Sequence, residues 1–526
     1  MRIREVAIGI ILLPLLFGAD YSGKYKGALE SSSGSRQNVT ATIRQQGDRV
    51  TGSIGPSATQ QTPLQEGRIE NGQLLFEIAP FGGLRLTLLE AGETLSGTVR
   101  TRDGRPSAFD RVTLKRTGPL TLADTTPPLP NEGKFRSMRV LALRGELERN
   151  HDALNEFWES VQQAGSPLVE PDPSDGRFQY ATFLWRGQPE HKNVLVMSTL
   201  LGMANPADFF MVNLPSTDLW FRTLRLPRGS RLAYRLSPND PLGSMPPGDG
   251  RRTAVKDPLN QNGGFLELPG ALPQPYYEHR DAPKMVRHEH KLMSENLSHE
   301  RQVIVYTPPG YDANAKPYPS IYFFDGEDAD GVVFASWTLE NLMVGKKIPP
   351  VVVVRIVNPN RGARQLLAAH DPFFDFLSKE LVPFMRANYN VSRGQHETAI
   401  AGYSLGGFAA AYAGLRHSDL FGLILSQSGS FWYEPAGDET AEPTWLAKKF
   451  VAAPKLPLRF YMDAGLFELD FSGRGSGILL PNRHLRDVLR AKGYEVKYQE
   501  FPGGHDTVNW RGTLADGLIT LFGQVH

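Results

Sequence analysis

The sequence predicts a three-part chain: two all-β modules followed by an α/β domain built on a mostly parallel sheet. Two textures carry this reading. From about His290, compact Val/Ile-rich runs ("RQVIVYTPP", "SIYFFDG", "PPVVVVRIVN", "TAIAG", "GLILSQSG", "LRFYMDAG", "YEVKYQEFPGG") alternate with helical patterns such as "FFDFLSKELVPFMRANY" and "RHLRDVLRAKG". Unbroken apolar strands between helices belong to a parallel sheet covered on both faces. From Tyr21 to about Gly118, by contrast, short strands of alternating polarity are separated by Gly-Asp, Asn-Gly and Asp-Gly turns, which is the chemistry of antiparallel hairpins.

In chain order, residues 1–19 read as a secretory signal peptide: Arg2 and Arg4 precede an apolar run from Val6 to Phe17, with a cleavage site at Gly18-Ala19. Phe17 departs from the small-x-small rule, so an uncleaved anchor is the alternative, although the run is shorter than the roughly 20 residues of a membrane span. The expected location is periplasmic or secreted, with no stable membrane insertion once the signal is removed. Residues 20–118 form the first β-module, a small barrel or sandwich. The Pro/Thr-rich stretch "PLTLADTTPPLPNEGK" at 119–134 is a linker. Residues 135–285 open with a helical pattern, 139–165, that ends at Gly165. They continue as β-runs ("RFQYATFLWRG", "KNVLVMS", "DLWFRTLRLPRGSRLAYRLSP") of the size expected for an immunoglobulin-like sandwich. The α/β domain occupies 286–526.

Charge and cysteine content exclude several functions. With 57 basic against 56 acidic residues the net charge is +1, so no global field draws nucleic acid or an anionic membrane. Cysteine is absent from all 526 residues, which removes a thiol nucleophile, a Cys-ligated zinc site and any disulfide framework. A nucleophile must be oxygen or nitrogen.

The pattern Gly402-x-Ser404-x-Gly406 supplies one. In a chain with 52 glycines such a match arises by chance roughly a few tenths of a time, so its surroundings decide. Ser404 follows the apolar run from Thr398 to Gly402 and precedes "LGGFAAAYAGLRH"; strand, sharp turn and helix are what a nucleophile elbow requires. Gly407 would let the helix approach the sheet closely. A serine hydroxyl needs a base. Of the 12 histidines, His505 in "FPGGHDTVNW" follows a strand end in the right chain order, whereas His288 and His290 read as residues of a charged connector and His396 as part of a polar turn. The orienting acid should lie between the two. In "RFYMDAGLFELD" Asp463 falls inside the strand and Glu468 just past it, making Glu468 the first choice and Asp470 the second. Asp506 reads as a loop-fixing residue.

Acyl transfer also needs two N–H donors for the oxyanion. The amide of Leu405 is one candidate and that of Glu327, in "YFFDGEDAD", the other. A calcium reading of the same acidic stretch fails, because Gly326 and Trp337 would occupy the first and twelfth ligand positions with Gly331 as the turn glycine. No metal is expected. Trp432, after "SQSGSF", is a candidate wall of the acyl or aryl pocket, with a packed core aromatic as the competing reading.

Together "DGEDAD", "AGYSLGGFAAAYAGLRHSDLFGLILSQSGSFWY", "AGLFE" and "GGHDTVNWRGTLADGLI" resemble the enterochelin esterase family, within the esterase D-like group of α/β-hydrolases. Upstream, "FWESVQQAGSPLVE", "FLWRG", "STDLWFRTLRLPRGSRLAYRLSPND" and "DPLN" are similar to that family's N-terminal domain, so the likeness spans about residues 150–526. The resemblance implies an α/β-hydrolase fold with Ser404 as nucleophile, His505 as base and Glu468 as acid. It also implies ester hydrolysis without a cofactor: family members cleave catechol siderophores and related proteins cleave feruloyl or other acyl esters. One departure stands out. The Arg-x-x-Glu-Leu pattern of cytoplasmic members is here "RQLLAAHDPFF", which keeps Arg364, a candidate substrate contact, and puts Leu367 where the acid would be.

The expected function is therefore an exported serine esterase acting on a small-molecule ester, an iron-siderophore or an aryl ester, with weak activity on the cyclic siderophore. An acyltransferase on the same residues and a non-catalytic siderophore- or polymer-binding protein are the competing expectations.

Overall fold

The computed structural model describes residues 20–523 except 33, 57–61, 79–83, 102–103, 105, 121–136, 199–208, 241–253, 261–263, 279, 325–335, 359–366, 368–369, 435–443 and 470–476. Residues 1–19, read in the sequence as a signal peptide, and most of the linker thus lie outside the described residues. Those before residue 129 form one compact unit and those from 137 onward another.

In the first unit the hairpin reading resolves as a barrel. Its strands are β1 Gly23–Glu30, β2 Arg36–Gln46, β3 Arg49–Gly55, β4 Thr62–Pro63, β5 Gln65–Glu70, β6 Gln73–Ile78, β7 Leu84–Ala91, β8 Thr94–Thr101 and β9 Pro106–Gly118. Strand β1 pairs with both β2 and β9, β2 also with β3, β3 with β5, and β5 to β9 follow as a meander, so the antiparallel ring closes. Eight strands make the ring, the two-residue β4 pairing only with β3, and eight leave an interior just wide enough for side chains to fill. Alternating residues do so: Val39, Ala41 and Ile43 on β2, Leu74, Phe76 and Ile78 on β6, and Leu84, Leu86 and Leu88 on β7. Asn71 and Gly72, both at positive φ, make the tight hairpin turn their dipeptide announces.

The second unit begins with helices Met138–Glu146 and Ala153–Ala164. This corrects the single helical pattern read over 139–165: residues 147–152 break it, where the Asn150 side chain accepts the Asp152 N–H and so competes with the helical ladder. Two sheets follow, β10 Leu168–Pro171, β11 Phe178–Arg186, β14 Leu219–Pro227 and β13 Val212–Asn213 against β12 Val194–Ser198, β15 Arg231–Pro238 and β16 Phe265–Glu267. The orders β10-β11-β14-β13 and β12-β15-β16 follow the ABED and CFG layout of a seven-stranded immunoglobulin-type sandwich. Phe157, Trp158 and Val161 of the second helix pack on Leu184, Leu219 and Phe221 of the first sheet.

The remaining sheet has strands β17 Val286–Ser294, β18 His299–Thr307, β19 Ser320–Phe323, β20 Val352–Ile356, β21 Thr398–Tyr403, β22 Leu423–Gln427, β23 Arg459–Gly465 and β24 Glu495–Phe501. They lie in the order β17-β18-β20-β19-β21-β22-β23-β24, with only β18 antiparallel to its neighbours; this is the α/β-hydrolase arrangement. Successive residues feed opposite faces: Val303, Val305, Val352 and Val354 into one core, and Ile304, Tyr306, Val351 and Val353 into the other. His288 and His290 lie in β17, which corrects their placement in a connector. This strand is an edge, and charged side chains on an edge blunt its open row of backbone groups while hiding its strand character in the sequence. The helical run 371–388 is continuous but passes through a π turn at Phe376–Leu381, ahead of Pro383, whose missing N–H breaks the regular ladder. No helix among the described residues is long and apolar enough to cross a membrane.

Candidate active site

Ser404 sits between β21 and the helix Leu405–Arg416 at φ 57° and ψ −123°. A non-glycine residue held in such a conformation costs about 1–3 kcal/mol, which the surroundings must over-determine. They do: Ser404 N–H donates to Gln427 O (2.8 Å), and Ser404 O accepts from Gly407 N (3.0 Å), Phe408 N (3.2 Å) and Ser430 N (2.9 Å). Both flanking glycines are steric necessities. A Cβ on Gly402 would lie 2.5 Å from the carbonyl carbon of Gly406, and one on Gly407 would lie 2.7 Å from Ser426 Oγ. The turn therefore lifts the Ser404 side chain to the N-terminus of a helix, where developing negative charge is favoured. Leu405 is the first residue of that helix.

His505 follows β24 on the loop leading into the helix Thr507–Phe522. Its Nε2 is 2.8 Å from Ser404 Oγ and its Nδ1 is 2.5 Å from Glu468 Oε1. Glu468 is fully buried and its other oxygen accepts Gly465 N–H at 2.6 Å. A buried carboxylate on Nδ1 holds the ring proton there and leaves Nε2 as the acceptor facing the hydroxyl. The loops bearing the two residues run side by side, Leu466 N–H donating to Phe501 O (2.9 Å) and Phe467 N–H to Gly503 O (3.0 Å).

A second layer of buried polar groups supports this row. Trp510 meets the His505 ring edge-on at 4.6 Å, stacks on Tyr403 at 4.8 Å and donates its indole N–H to Ser428 Oγ at 2.8 Å. Ser428 N–H in turn donates to Asp463 Oδ1 at 3.0 Å. Asp463, inside β23 as the sequence indicated, is fully buried, and burial pushes its carboxyl up to about 7. Gln427 ties the layer to the C-terminal helix through Trp510 O and Thr513 Oγ1, both at 2.7 Å.

Of the residues singled out in the sequence, Ser404, His505, Glu468 and Leu405 converge. Asp470, Glu327 and Arg364 lie outside the described residues. Trp432 is half-buried, two positions after Ser430, and its indole nitrogen is buried with no hydrogen-bond partner among the described residues. Leu367 is buried in the apolar cluster that includes Phe373, Phe374 and Phe376. Two neighbours escaped the sequence reading. Ser430 is buried with its Oγ 3.5 Å from Ser404 Oγ, and Trp510 walls the imidazole. The serine is visible only as part of "SQSGS" beyond a strand end, and the tryptophan as a residue one helical turn past the Asp506 N-cap. No cluster of three or more His, Asp or Glu able to hold a metal occurs among the described residues.

Known proteins share this architecture. The family model described as "Enterochelin esterase, N-terminal" matches residues 180–286, and the one described as "Putative esterase" matches 294–521; the barrel falls outside both. The iron(III) enterobactin esterase of Escherichia coli (strain K12) is 30% identical over 372 residues, covering 65% of this chain and 90% of that protein. The iron(III) salmochelin esterase of Escherichia coli O6:H1 is 27% identical over 416 residues, covering 73% of this chain and 98% of that protein. A crystal structure of the enterobactin esterase of Shigella flexneri, obtained in the presence of enterobactin, superposes with a TM-score of 0.56 at 28% identity, covering 70% of this chain and 97% of that one. On this coverage, through both the sandwich and the open sheet, the chain belongs to the enterochelin esterase family of carboxylic ester hydrolases.

Proposed function

We propose that this chain is an exported serine esterase that cleaves small-molecule carboxylic esters through an acyl-enzyme on Ser404. The observation that carries the reading is the unbroken row Ser404 Oγ, His505, Glu468, at 2.8 and 2.5 Å. His505 takes the hydroxyl proton as Ser404 attacks the ester carbonyl, and Glu468 stabilises the imidazolium that forms. The Leu405 amide receives the oxyanion, with that of Glu327 as its partner donor. The imidazolium then protonates the leaving alcohol, and a water activated by His505 releases the acid.

The relatives named above carry enterobactin and salmochelin in their names, so a siderophore or aryl ester is the substrate class we assign. Leu367 in the apolar cluster replaces the acid of the cytoplasmic pattern. We therefore expect weak or absent activity on the cyclic siderophore, which a panel of catechol siderophores, feruloyl esters and short aliphatic esters will test. Export rests on Arg2, Arg4 and the apolar run to Phe17, and N-terminal sequencing of the mature protein tests it. The decisive experiment compares hydrolysis of a chromogenic acetate or butyrate ester by the wild type and by Ser404→Ala. A loss of at least about 10⁴-fold in kcat is expected, and equal rates would sink the mechanism.

A further inference from the structure

Strand β15 of the sandwich pairs with β12 from Tyr234 onward and with β16 over Arg231–Ala233. Beyond the end of β12, the same edge of β15 is taken up by the loop that carries His505. Arg231 N–H donates to Pro502 O (3.2 Å), Ala233 N–H to Asp506 Oδ2 (2.9 Å), and Asn509 Nδ2 to Arg231 O (3.1 Å). These bonds bracket His505 from three residues before it to four residues after it.

Asp506 is the centre of the bracket. It is buried, and its two oxygens serve different elements: Oδ1 caps the C-terminal helix through Val508 N–H at 3.1 Å, while Oδ2 reaches the sandwich. The segment joining the sandwich to the catalytic sheet is pinned as well. Gln274 Nε2 donates to Val508 O (2.7 Å), Trp337 Nε1 to Tyr277 O (2.6 Å), and Asn341 Nδ2 to Tyr276 O (3.0 Å) and Glu278 O (2.8 Å). A sandwich tied down this way is a fixed frame against which a loop can be aligned.

We propose that the sandwich sets the position of the His505 imidazole, with Asp506 and Asn509 as positioning residues that dock its loop on β15. This rests on the Ser404–His505–Glu468 reading above. A displacement of the base by about 1 Å costs on the order of 10²-fold in rate, so loosening the loop lowers kcat without touching substrate binding.

The test separates docking from helix capping. Asp506→Ser keeps a side-chain acceptor for the Val508 N–H, since serine is a good N-cap, but one short hydroxyl cannot also span to Ala233. On a chromogenic butyrate ester we expect Asp506→Ser in the full-length chain to lose about 10- to 100-fold in kcat with KM within about twofold. Phosphonylation of Ser404 by an organophosphonate should slow in parallel. Asn509→Ala, which leaves the cap intact, should move kcat the same way by a smaller factor. Wild-type kcat in a folded Asp506→Ser protein would reduce Asp506 to a helix cap and overturn the proposal; should that variant not fold, wild-type kcat in Asn509→Ala overturns it instead. Failure of the underlying mechanism is distinguishable, because it would appear as an active Ser404→Ala.

Discussion

The barrel of the first unit and the sheet that carries Ser404 are both β-structures tightened by glycine, but the barrel closes on itself and the other sheet stays open. Inside the barrel the described core is apolar, and its two tyrosine hydroxyls are already spent on its own backbone: Tyr25 OH donates to Tyr21 O (2.8 Å) and Tyr21 OH to Gly72 O (3.0 Å). In the open sheet, buried polar residues gather toward the carboxyl ends of the parallel strands: Arg355 on β20, Gln427 on β22 and Asp463 on β23, with Ser404 just past β21. Closing a sheet satisfies every edge but gives up the crevice beyond the strand ends. An open, doubly covered sheet keeps that crevice, and ligands bind there.

The comparison can be broken most sharply at Glu468. Glu468→Gln keeps the shape of the side chain but removes the charge that holds the His505 tautomer, and kcat on a chromogenic ester should fall about 10⁴-fold. A fall below tenfold would mean that another acid orients the ring. Next come the glycines. Gly402→Ala drives a methyl toward the backbone of Gly406, 2.5 Å away, so the elbow must shift and kcat should drop about 10²-fold.

A smaller effect, on stability alone, is expected at Asp463. Its carboxyl holds its proton up to about pH 7 in the folded chain against an ordinary 3.8. Between those values the native state binds more protons than the unfolded one, so this residue lowers stability as pH rises from about 4 to about 7. Asp463→Asn cannot ionise and should flatten that part of the curve. Urea midpoints at three pH values would settle it, parallel curves for the two proteins counting against the buried acid. Least affected should be the activity of Gly27→Ala, whose new methyl would fall 1.7 Å from Thr113 O across the barrel seam. We expect the barrel to melt at a lower temperature while kcat/KM stays within about twofold. A large loss of activity would assign the barrel a catalytic contribution that its apolar described core argues against.

Legibility followed sequence distance. Alternation over a few residues exposed the barrel strands, and the Asn71-Gly72 turn was readable because only residues tolerant of positive φ suit it. Barrel closure was not, since β1 and β9 meet from opposite ends of the module and many strand orders satisfy the same alternation. The β17 histidines were misplaced for a related reason: an edge strand's charged pattern resembles a linker until its partner is known. Glu468 could be preferred over Asp463 from its position beyond a strand end, but the 2.5 Å contact with Nδ1 depends on where the His505 loop lies.

By itself the sequence determined the strand-elbow-helix around Ser404, the order of serine, acid and histidine, and the switch from alternating to uniformly apolar strands. Each of these is dictated by residues close together in the chain, through sterics and periodicity. Only the tertiary structure decided that the first module closes into a ring, that Trp510 and Ser430 flank the Ser404–His505–Glu468 row, and that β15 of the sandwich grips the loop of His505. Those outcomes join residues as much as 278 positions apart, through backbone edges whose availability no local pattern encodes.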